Sequence, residues 1–469
     1  RRGLFFMCSL VKVRMTVVVI GAGPAGLYVS IELQKKGKKV IVFEKNSRCG
    51  GRMYTDVTKD GKKYETGAWR VKGELAKRLL TAYNCEVGQL RPRPNQEKSV
   101  SDVEIVKKSS FFEHFKGNIS SFSTSDIFRL HGLKKALSEK GYSGASRKAA
   151  TSKSYSVGED DEASKYWYVK EGWTSLIKKM EKEVDVRFDS LFCGFDGKTV
   201  EILNRETLVR IPNVEACIVA TPPSGFPRDD ISLQVLASAV LPLPLCHVWF
   251  KTNVKIQHID FKSTEGPTTQ VIANPMQPSD LCQIYVCGED STFYLNLSNY
   301  SKPALLNFVK TELEKYGMGF TATEIVSTSF WEQAIHVWRP CSSFTSAQNA
   351  ARKALQPDHV HRPTLFVCGE AFSATMQGWA DGALETANAV LRAIGGVEEI
   401  PRFLRSKEVA ITAVFMGKKI GITNTWLENH PGGEQAILNH RNEDISKLWW
   451  ILHRQSKIAK ANLFHLLLD

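Results

Sequence analysis

The order of apolar and polar positions along the chain predicts an α/β protein. Four short continuous apolar runs, at residues 17–20, 40–43, 216–219 and 365–368, have the length of buried strands. Helical spacing follows the first run over 27–36, resumes from Trp173 through Leu176 and Ile177, and covers 303–316. It returns from about 378 to 394, where Ala383, Leu384, Ala387, Val390 and Leu391 share one face. Segments 184–188 and 199–203 read as strands, and the region from about 223 to 340 is rich in alternating β-type stretches such as 246–251 and 293–297. That region predicts a mixed sheet with covering helices. Between 91 and 166 the pattern loosens, and residues 144–165 are polar, rich in Gly, Ser and Lys, and read as a loop or insertion.

The first strand leads directly into chemistry. Gly21, Gly23 and Gly26 follow it at GxGxxG spacing, and Glu44 closes the second run 18 residues after Gly26. In such a unit the first glycine makes a tight turn, the second lets backbone approach a pyrophosphate, and the third lets helix and strand pack closely. The helix N-terminus offers unpaired N–H groups and the positive end of a dipole to the phosphates. Glu44 stands where a carboxylate accepts the ribose hydroxyls of an adenine dinucleotide, and it would repel a 2′-phosphate, which argues against NADP.

Cys49-Gly50-Gly51-Arg52 comes next, then Thr66-Gly67-Ala68-Trp69. With these segments the chain resembles the flavin amine oxidase superfamily, which includes monoamine, polyamine and L-amino-acid oxidases and protoporphyrinogen oxidase. The resemblance implies FAD, with Arg52 meeting its pyrophosphate and Gly67, Ala68 and Trp69 beside it. Far along the chain, Gly369-Glu370 and Gly378-Trp379-Ala380 are similar to the C-terminal flavin motif of the same proteins. By that similarity Glu370 accepts a ribityl hydroxyl, and the helix N-terminus at Gly378 to Ala380 faces the flavin pyrimidine carbonyl. The resemblance covers about residues 16–396. It implies a Rossmann-type FAD/NAD(P)-binding domain made of 16–90, 168–222 and 364–396, interleaved with a mixed-sheet substrate domain of 91–167 and 223–363.

Amine oxidation passes hydride from a carbon next to nitrogen to the flavin, and the protein supplies position and a dry pocket. Relatives frame the substrate nitrogen with two aromatic side chains. Trp379 falls at one of those places, and the stretch 330–340 resembles the strand carrying the other, with Trp338 the candidate wall and His336 a weaker one. Core packing is the alternative reading of both tryptophans, and a satisfied structural histidine is the favoured reading of His336. Two features depart from the family. The lysine that many members hold against the flavin is replaced, by approximate superposition, with Leu245 or Cys246. Cys341 lies beyond the position of the cysteine that binds FAD covalently in monoamine oxidases, so non-covalent FAD is expected. A desaturase or protoporphyrinogen oxidase-like enzyme is the alternative on the same fold, and a non-catalytic, flavin-stabilised binding protein is the alternative from another class.

The end of the chain reads as a separate small α+β unit over 405–469. Its Thr425-Trp426-Leu427-Glu428-Asn429-His430-Pro431-Gly432-Gly433 resembles the haem turn of cytochrome b5, and His453 follows His430 by 23 residues. The resemblance implies two axial imidazoles on the iron of haem b, which would then be a route for electrons leaving the flavin in place of dioxygen. The unit lacks that module's usual first strand and helix, and a haem-free docking unit is the alternative.

Composition changes this picture little. The net charge of +13 is spread along the chain and no nucleic-acid-reading motif accompanies it, so it reads as a solvated surface. Ten cysteines without a CxxC pair fit reduced thiols and a cytoplasmic setting. No apolar run approaches the ~20 residues that cross a bilayer. The N-terminus is basic and begins with Arg1, so Met7 or Met15 is the expected start.

Overall fold

Uncharged runs rich in Val and Ile suit strands covered on both faces, and they build the first layer. The computed structural model describes residues 15–90, 166–257, 259–262, 270–276, 279–288, 290–338, 354–373, 376–395, 411–415 and 418–422. In chain order, β1 (Thr16–Ile20) turns into α1 (Pro24–Lys35) and β2 (Lys39–Phe43). A hairpin of β3 (Thr55–Val57) and β4 (Lys63–Glu65) precedes α2 (Glu74–Ala82) and β5 (Val87–Gln89). Then come β6 (Trp167–Val169), paired with β5, α3 (Trp173–Glu181) and β7 (Val186–Arg187). The antiparallel β8 (Ser190–Phe195), β9 (Val200–Asn204) and β10 (Thr207–Ile211) lead to β11 (Val214–Val219).

Helix α4 (Ile231–Ala237) opens the second half, followed by β12 (Val240–Ile256), β13 (Asp260–Lys262), β14 (Gln270–Ala273) and β15 (Ser279–Cys287). Helices α5 (Asp290–Tyr300) and α6 (Lys302–Lys315) precede β16 (Ala322–Trp338). The chain then returns through β17 (Leu365–Val367) and α7 (Ala380–Ile394), and its C-terminal region holds a hairpin of β18 (Ile411–Phe415) and β19 (Lys418–Ile422).

The first sheet is parallel, in the order β17-β11-β1-β2-β7. Side chains alternate across it with period two. Val17 and Val19 join α1, α3 and α7 in one core, whereas Val18 and Ile20 join Phe192, Ile202 and Leu233 in the other. The second sheet, β13-β14-β15-β12-β16, is antiparallel. Cys246, Val248 and Phe250 on β12 pack with Tyr294, Leu305 and Val309 of the covering helices. On the opposite face, Trp249 donates its indole N–H to the Glu65 carbonyl at 2.8 Å, and Trp331 donates to the Thr66 carbonyl at 2.5 Å. Those two bonds fasten the second sheet to the last residue of β4 and the residue after it.

Three expectations need comment. The stretch 293–297, read as a strand, lies inside α5, because the buried positions are Ser291 and Tyr294 at three-residue spacing while Phe293 is 42% exposed. The alternation of Phe293, Leu295 and Leu297 is therefore fortuitous. The strand predicted at 184–188 shrinks to the two residues of β7. The polar insertion at 144–165, His430 and His453 lie outside the described residues. Among the described residues, no helix is long and apolar enough to cross a membrane.

One buried group makes the fold sensitive to pH. Glu65 is 2% exposed, and its Oε1 accepts from the Trp173 N–H at 2.9 Å and the Thr55 hydroxyl at 3.0 Å. Burial outweighs these bonds and raises its pKa to about 8. In the unfolded chain the same carboxyl loses its proton near 4.3. The folded state thus retains a proton that the unfolded state gives up, and stability declines as pH rises from about 4.5 towards 8. Glu65→Gln keeps the shape without that proton, and is expected to gain about 1–3 kcal/mol over the parent at pH 8 and little at pH 4.5. Urea unfolding at the two pH values checks this; an equal effect at both would contradict it.

Candidate cofactor and substrate site

The glycine turn after β1 has the geometry its spacing predicts. Gly21 adopts φ +98°, and a Cβ there would meet Thr221 and the Ala220 carbonyl. A Cβ on Gly26 would lie 1.9 Å from the Gly21 carbonyl oxygen, so only glycine lets α1 start this close to the turn. Gly23 faces open space, with no atom within 4 Å of an added Cβ. It is also the N-cap of α1 and provides no side-chain cap, so first-turn N–H groups remain for an anion. Glu44 is buried at the end of β2. Its Oε2 accepts from the Ala22 N–H at 2.8 Å, and its Oε1 accepts from the backbone and side-chain N–H groups of Asn46. Three bonds of roughly four acceptor sites leave one for a hydroxyl.

The Cys49–Arg52 loop rests against this turn: a Cβ on Gly51 would lie 3.7 Å from the Gly23 Cα. The Arg52 carbonyl accepts from the Ala68 N–H at 3.0 Å, and a Cβ on Gly67 would collide with that carbonyl at 2.0 Å. Arg52 itself reaches the second sheet. Its Nη1 donates to the carbonyls of Gln333 and Ala334 and to Glu370 Oε1, the last two at 2.7 Å.

Glu370, just after β17, is the junction of the site. Its Oε1 accepts from Arg52 and pairs with His336 Nδ1 at 2.6 Å, while Oε2 accepts from the Gly378 N–H at 2.8 Å. Burial opposes its ionisation, but the Arg52 charge and His336 outweigh burial and hold its pKa down at about 2. An ionised acceptor requires His336 Nδ1 to carry the hydrogen of this bond, while the buried Nε2 has no hydrogen-bond partner among the described residues. Gly369, at φ +139°, has only the Thr221 carbonyl, at 4.0 Å, near an added Cβ. Gly378, at φ +75°, turns the chain into α7, whose N-cap Trp379 provides no side-chain cap and whose first residue is Ala380.

An aromatic cluster lies where Trp379 meets the segment after Trp69. The Trp379 ring stacks on Tyr166, with centroids 5.5 Å apart and planes 7° apart. A gap that narrow admits no ammonium between the rings, so one face of Trp379 is already covered. The Arg70 guanidinium lies 4.2 Å from the Trp69 ring centroid, 5.5 Å from that of Tyr166 and 5.8 Å from that of Tyr285. It donates to Gln270 Oε1 at 3.0 Å, and no carboxylate pairs with it among the described residues. Trp69, expected beside the cofactor, is buried and carries Arg70 on its face.

The backbone therefore brings together Gly21, Gly23, Glu44, Arg52, Gly67, Ala68, Gly369, Glu370 and Gly378, with Trp379 and Ala380 at the adjoining helix start. Trp338 ends β16, where it is in register with Val240; its side chain, like His430 and His453, lies outside what is described. Among the described residues no group of three His, Cys, Asp or Glu side chains is placed to hold a metal ion. Arg70 and Asp381 were not anticipated from the sequence. The open space at Gly23 and Gly369, the two uncapped helix starts and the spare acceptor site on each buried glutamate fit an adenine dinucleotide.

Comparison with known proteins agrees with this geometry. The family described as NAD(P)-binding Rossmann-like domain matches residues 19–82, and the family described as Flavin containing amine oxidoreductase matches 108–394, more than half of the chain. A rice (Oryza sativa subsp. indica) lysine-specific histone demethylase 1 homolog 3 is 46% identical over 66 residues, 14% of this chain and 7% of that protein. Aplysianin-A of Aplysia kurodai is 36% identical over 74 residues, 14% of this chain and 13% of its own length. The chain thus matches only a small part of these curated relatives. A redesigned putrescine oxidase superimposes with a TM-score of 0.57 at 15% identity, covering 82% of this chain and all of that one, a likeness of fold.

Removing the charge at the junction tests its role. Glu370→Gln leaves the half-buried Arg52 against carbonyls without its counter-ion, and is expected to cost about 1–3 kcal/mol in urea unfolding. Because the folded pKa of Glu370 is depressed, its contribution is present above about pH 4.5 and is lost as pH falls towards 2. The gap between variant and parent should therefore close on acidification; a gap independent of pH would refute the ionised junction.

Proposed function

The chain belongs to the flavin-containing amine oxidoreductase family, and from that premise we propose that it is an FAD-dependent oxidoreductase taking hydride from a carbon next to an amine nitrogen. The observation that carries this reading is the meeting of the Arg52 and Glu370 stretches, 318 residues apart, beside the glycine turn and Glu44. FAD, when bound, supplies the two-electron acceptor. The chain's own part is to bind, orient and exclude water. First-turn N–H groups of α1 would receive the pyrophosphate, Glu44 would accept a ribose hydroxyl, and Glu370 would offer its remaining lone pair to the ribityl chain. The start of α7 would lend its positive dipole to the flavin end. Trp379, with Trp338 as the opposite wall, confines the substrate nitrogen.

Arg70 narrows the substrate. A half-buried guanidinium set against three aromatic rings, with no carboxylate partner among the described residues, repels a simple diammonium and attracts an anionic group. An amine that also carries a carboxylate fits best. Oxidised product and hydrogen peroxide follow where dioxygen is the acceptor. The tail resemblance adds a haem b held by His430 and His453 as a second acceptor, and the eight described cysteines, all free, support a cytoplasmic setting.

The purified protein is expected to show flavin absorption bands, together with a Soret band if the tail binds haem. Anaerobic mixing with a panel of amines and α-amino acids should bleach the oxidised flavin. Silence across the panel would favour the desaturase or the non-catalytic reading. Arg70→Ala is expected to raise KM for carboxylate-bearing amines roughly 10- to 100-fold, the worth of a charge-assisted hydrogen bond, with a smaller effect on kcat. An unchanged KM would remove Arg70 from the substrate site.

A further inference from the structure

Asp381 ties the start of the flavin-side helix to the segment that carries Arg70. It stands in the first turn of α7 and is 4% exposed. Its Oδ2 accepts from the Gly73 N–H at 3.1 Å, and its Oδ1 accepts from the N–H groups of Leu75 and Ala76 at 2.9 and 3.2 Å. These are orphan donors at the N-terminus of α2, whose N-cap, Gly73, has no side chain to cap them. The cap is supplied from more than 300 residues away in sequence. Contact is close enough to demand glycine: a Cβ on Gly73 would lie 2.1 Å from Asp381 Oδ1.

Between Trp69 and Gly73 the chain is held at two further points. Val71 is fully buried and exchanges backbone hydrogen bonds with Trp167 at 2.7 and 2.9 Å. Arg70 donates to Gln270. Lys72 sits with its ammonium 5.4 Å from the Trp379 ring centroid, so both cations of the segment face the aromatic cluster. On its other side, Asp381 is three residues from Gly378, whose N–H is held by Glu370, which in turn holds Arg52. A continuous set of bonded groups thus runs from Arg52 to Arg70 by way of Asp381.

We propose that Asp381 is a positioning residue that couples the two halves of the site: ordering of the α7 start by bound FAD is transmitted through Asp381 to Gly73, and so sets Arg70 for the anionic group of the substrate. The inference rests on the reading of Arg70 given above. Linkage makes it quantitative. If FAD raises the affinity for an anion by some factor, the anion must raise the affinity for FAD by the same factor. Asp381→Asn replaces one acceptor oxygen with a donor facing the Gly73 or Leu75 N–H, and so weakens the tie without removing Arg70.

Benzoate is the probe, a carboxylate on a ring with no amine to oxidise. Its affinity is measured calorimetrically for the full chain, with FAD removed and restored. The parent should bind benzoate on the order of tenfold more tightly with FAD than without, and benzoate should tighten FAD by the same ratio. In Asp381→Asn the ratio should fall to near one while the flavin spectrum persists. Gly73→Ala strains the same contact from its other partner and should give the same loss, which guards against a poorly folding Asp381 variant. A ratio near one in the parent, or a parent-like ratio in both variants, overturns the coupling. If Arg70→Ala binds benzoate as the parent does, the substrate reading of Arg70 fails instead.

Discussion

A carboxylate that stays ionised while buried must be surrounded by donors, and Glu370 meets that demand from three directions. Arg52 comes from the loop after the first two strands, His336 from the long strand of the antiparallel sheet, and the Gly378 N–H from the turn into α7. Desolvating such a charge costs several kcal/mol unless every partner is in place. The requirement therefore fixes the relative positions of three stretches that no local preference would bring together. Glu65 shows the opposite solution. Equally buried but with no cation beside it among the described residues, it accepts hydrogen bonds there from a hydroxyl and an amide, and it stays protonated near neutral pH. One glutamate organises by charge, the other merely tolerates burial.

The two sheets divide the work. The parallel sheet ends in glycines that leave room over the backbone, while the antiparallel sheet delivers side chains: Trp249 and Trp331 against the end of β4 and the residue after it, Gln270 against Arg70, and His336 against Glu370. The aromatic cluster at their boundary already holds two cations near its rings. An aromatic cage built for an ammonium gains from empty, electron-rich faces. Here those faces are partly engaged by the protein's own Arg70 and Lys72.

Much of the cofactor side was legible because glycine is demanded by backbone geometry. Gly21, Gly26 and Gly67 are positions where a Cβ collides with a carbonyl or a neighbouring side chain, and such positions leave a trace in a single sequence. Strands of uncharged Val and Ile were equally plain. The aromatic cluster around Arg70 was not, since Arg70 acquires meaning only when Tyr166, Tyr285 and Gln270 converge on it from distant stretches. Asp381 was silent for the same reason, as an acidic residue in the first turn of a helix is ordinary until a second helix is found beneath it. His336, a weaker wall candidate whose favoured reading is a structural histidine, pairs with Glu370 through Nδ1. The reading of 293–297 as a strand failed because a five-residue alternation is too short to exclude a helix whose buried positions recur every third residue.

The indoles of Trp249 and Trp331 both end on main-chain oxygens, at Glu65 and Thr66. A main-chain acceptor is indifferent to which side chain hangs from it, so point replacements at residue 66 leave that seam intact. Chain length is another matter. Adding or deleting a single residue between the hairpin and Gly67 would shift the Thr66 oxygen relative to that of Glu65, which belongs to β4, so variation among descendants of this sequence should be permissive in letters and strict in spacing there.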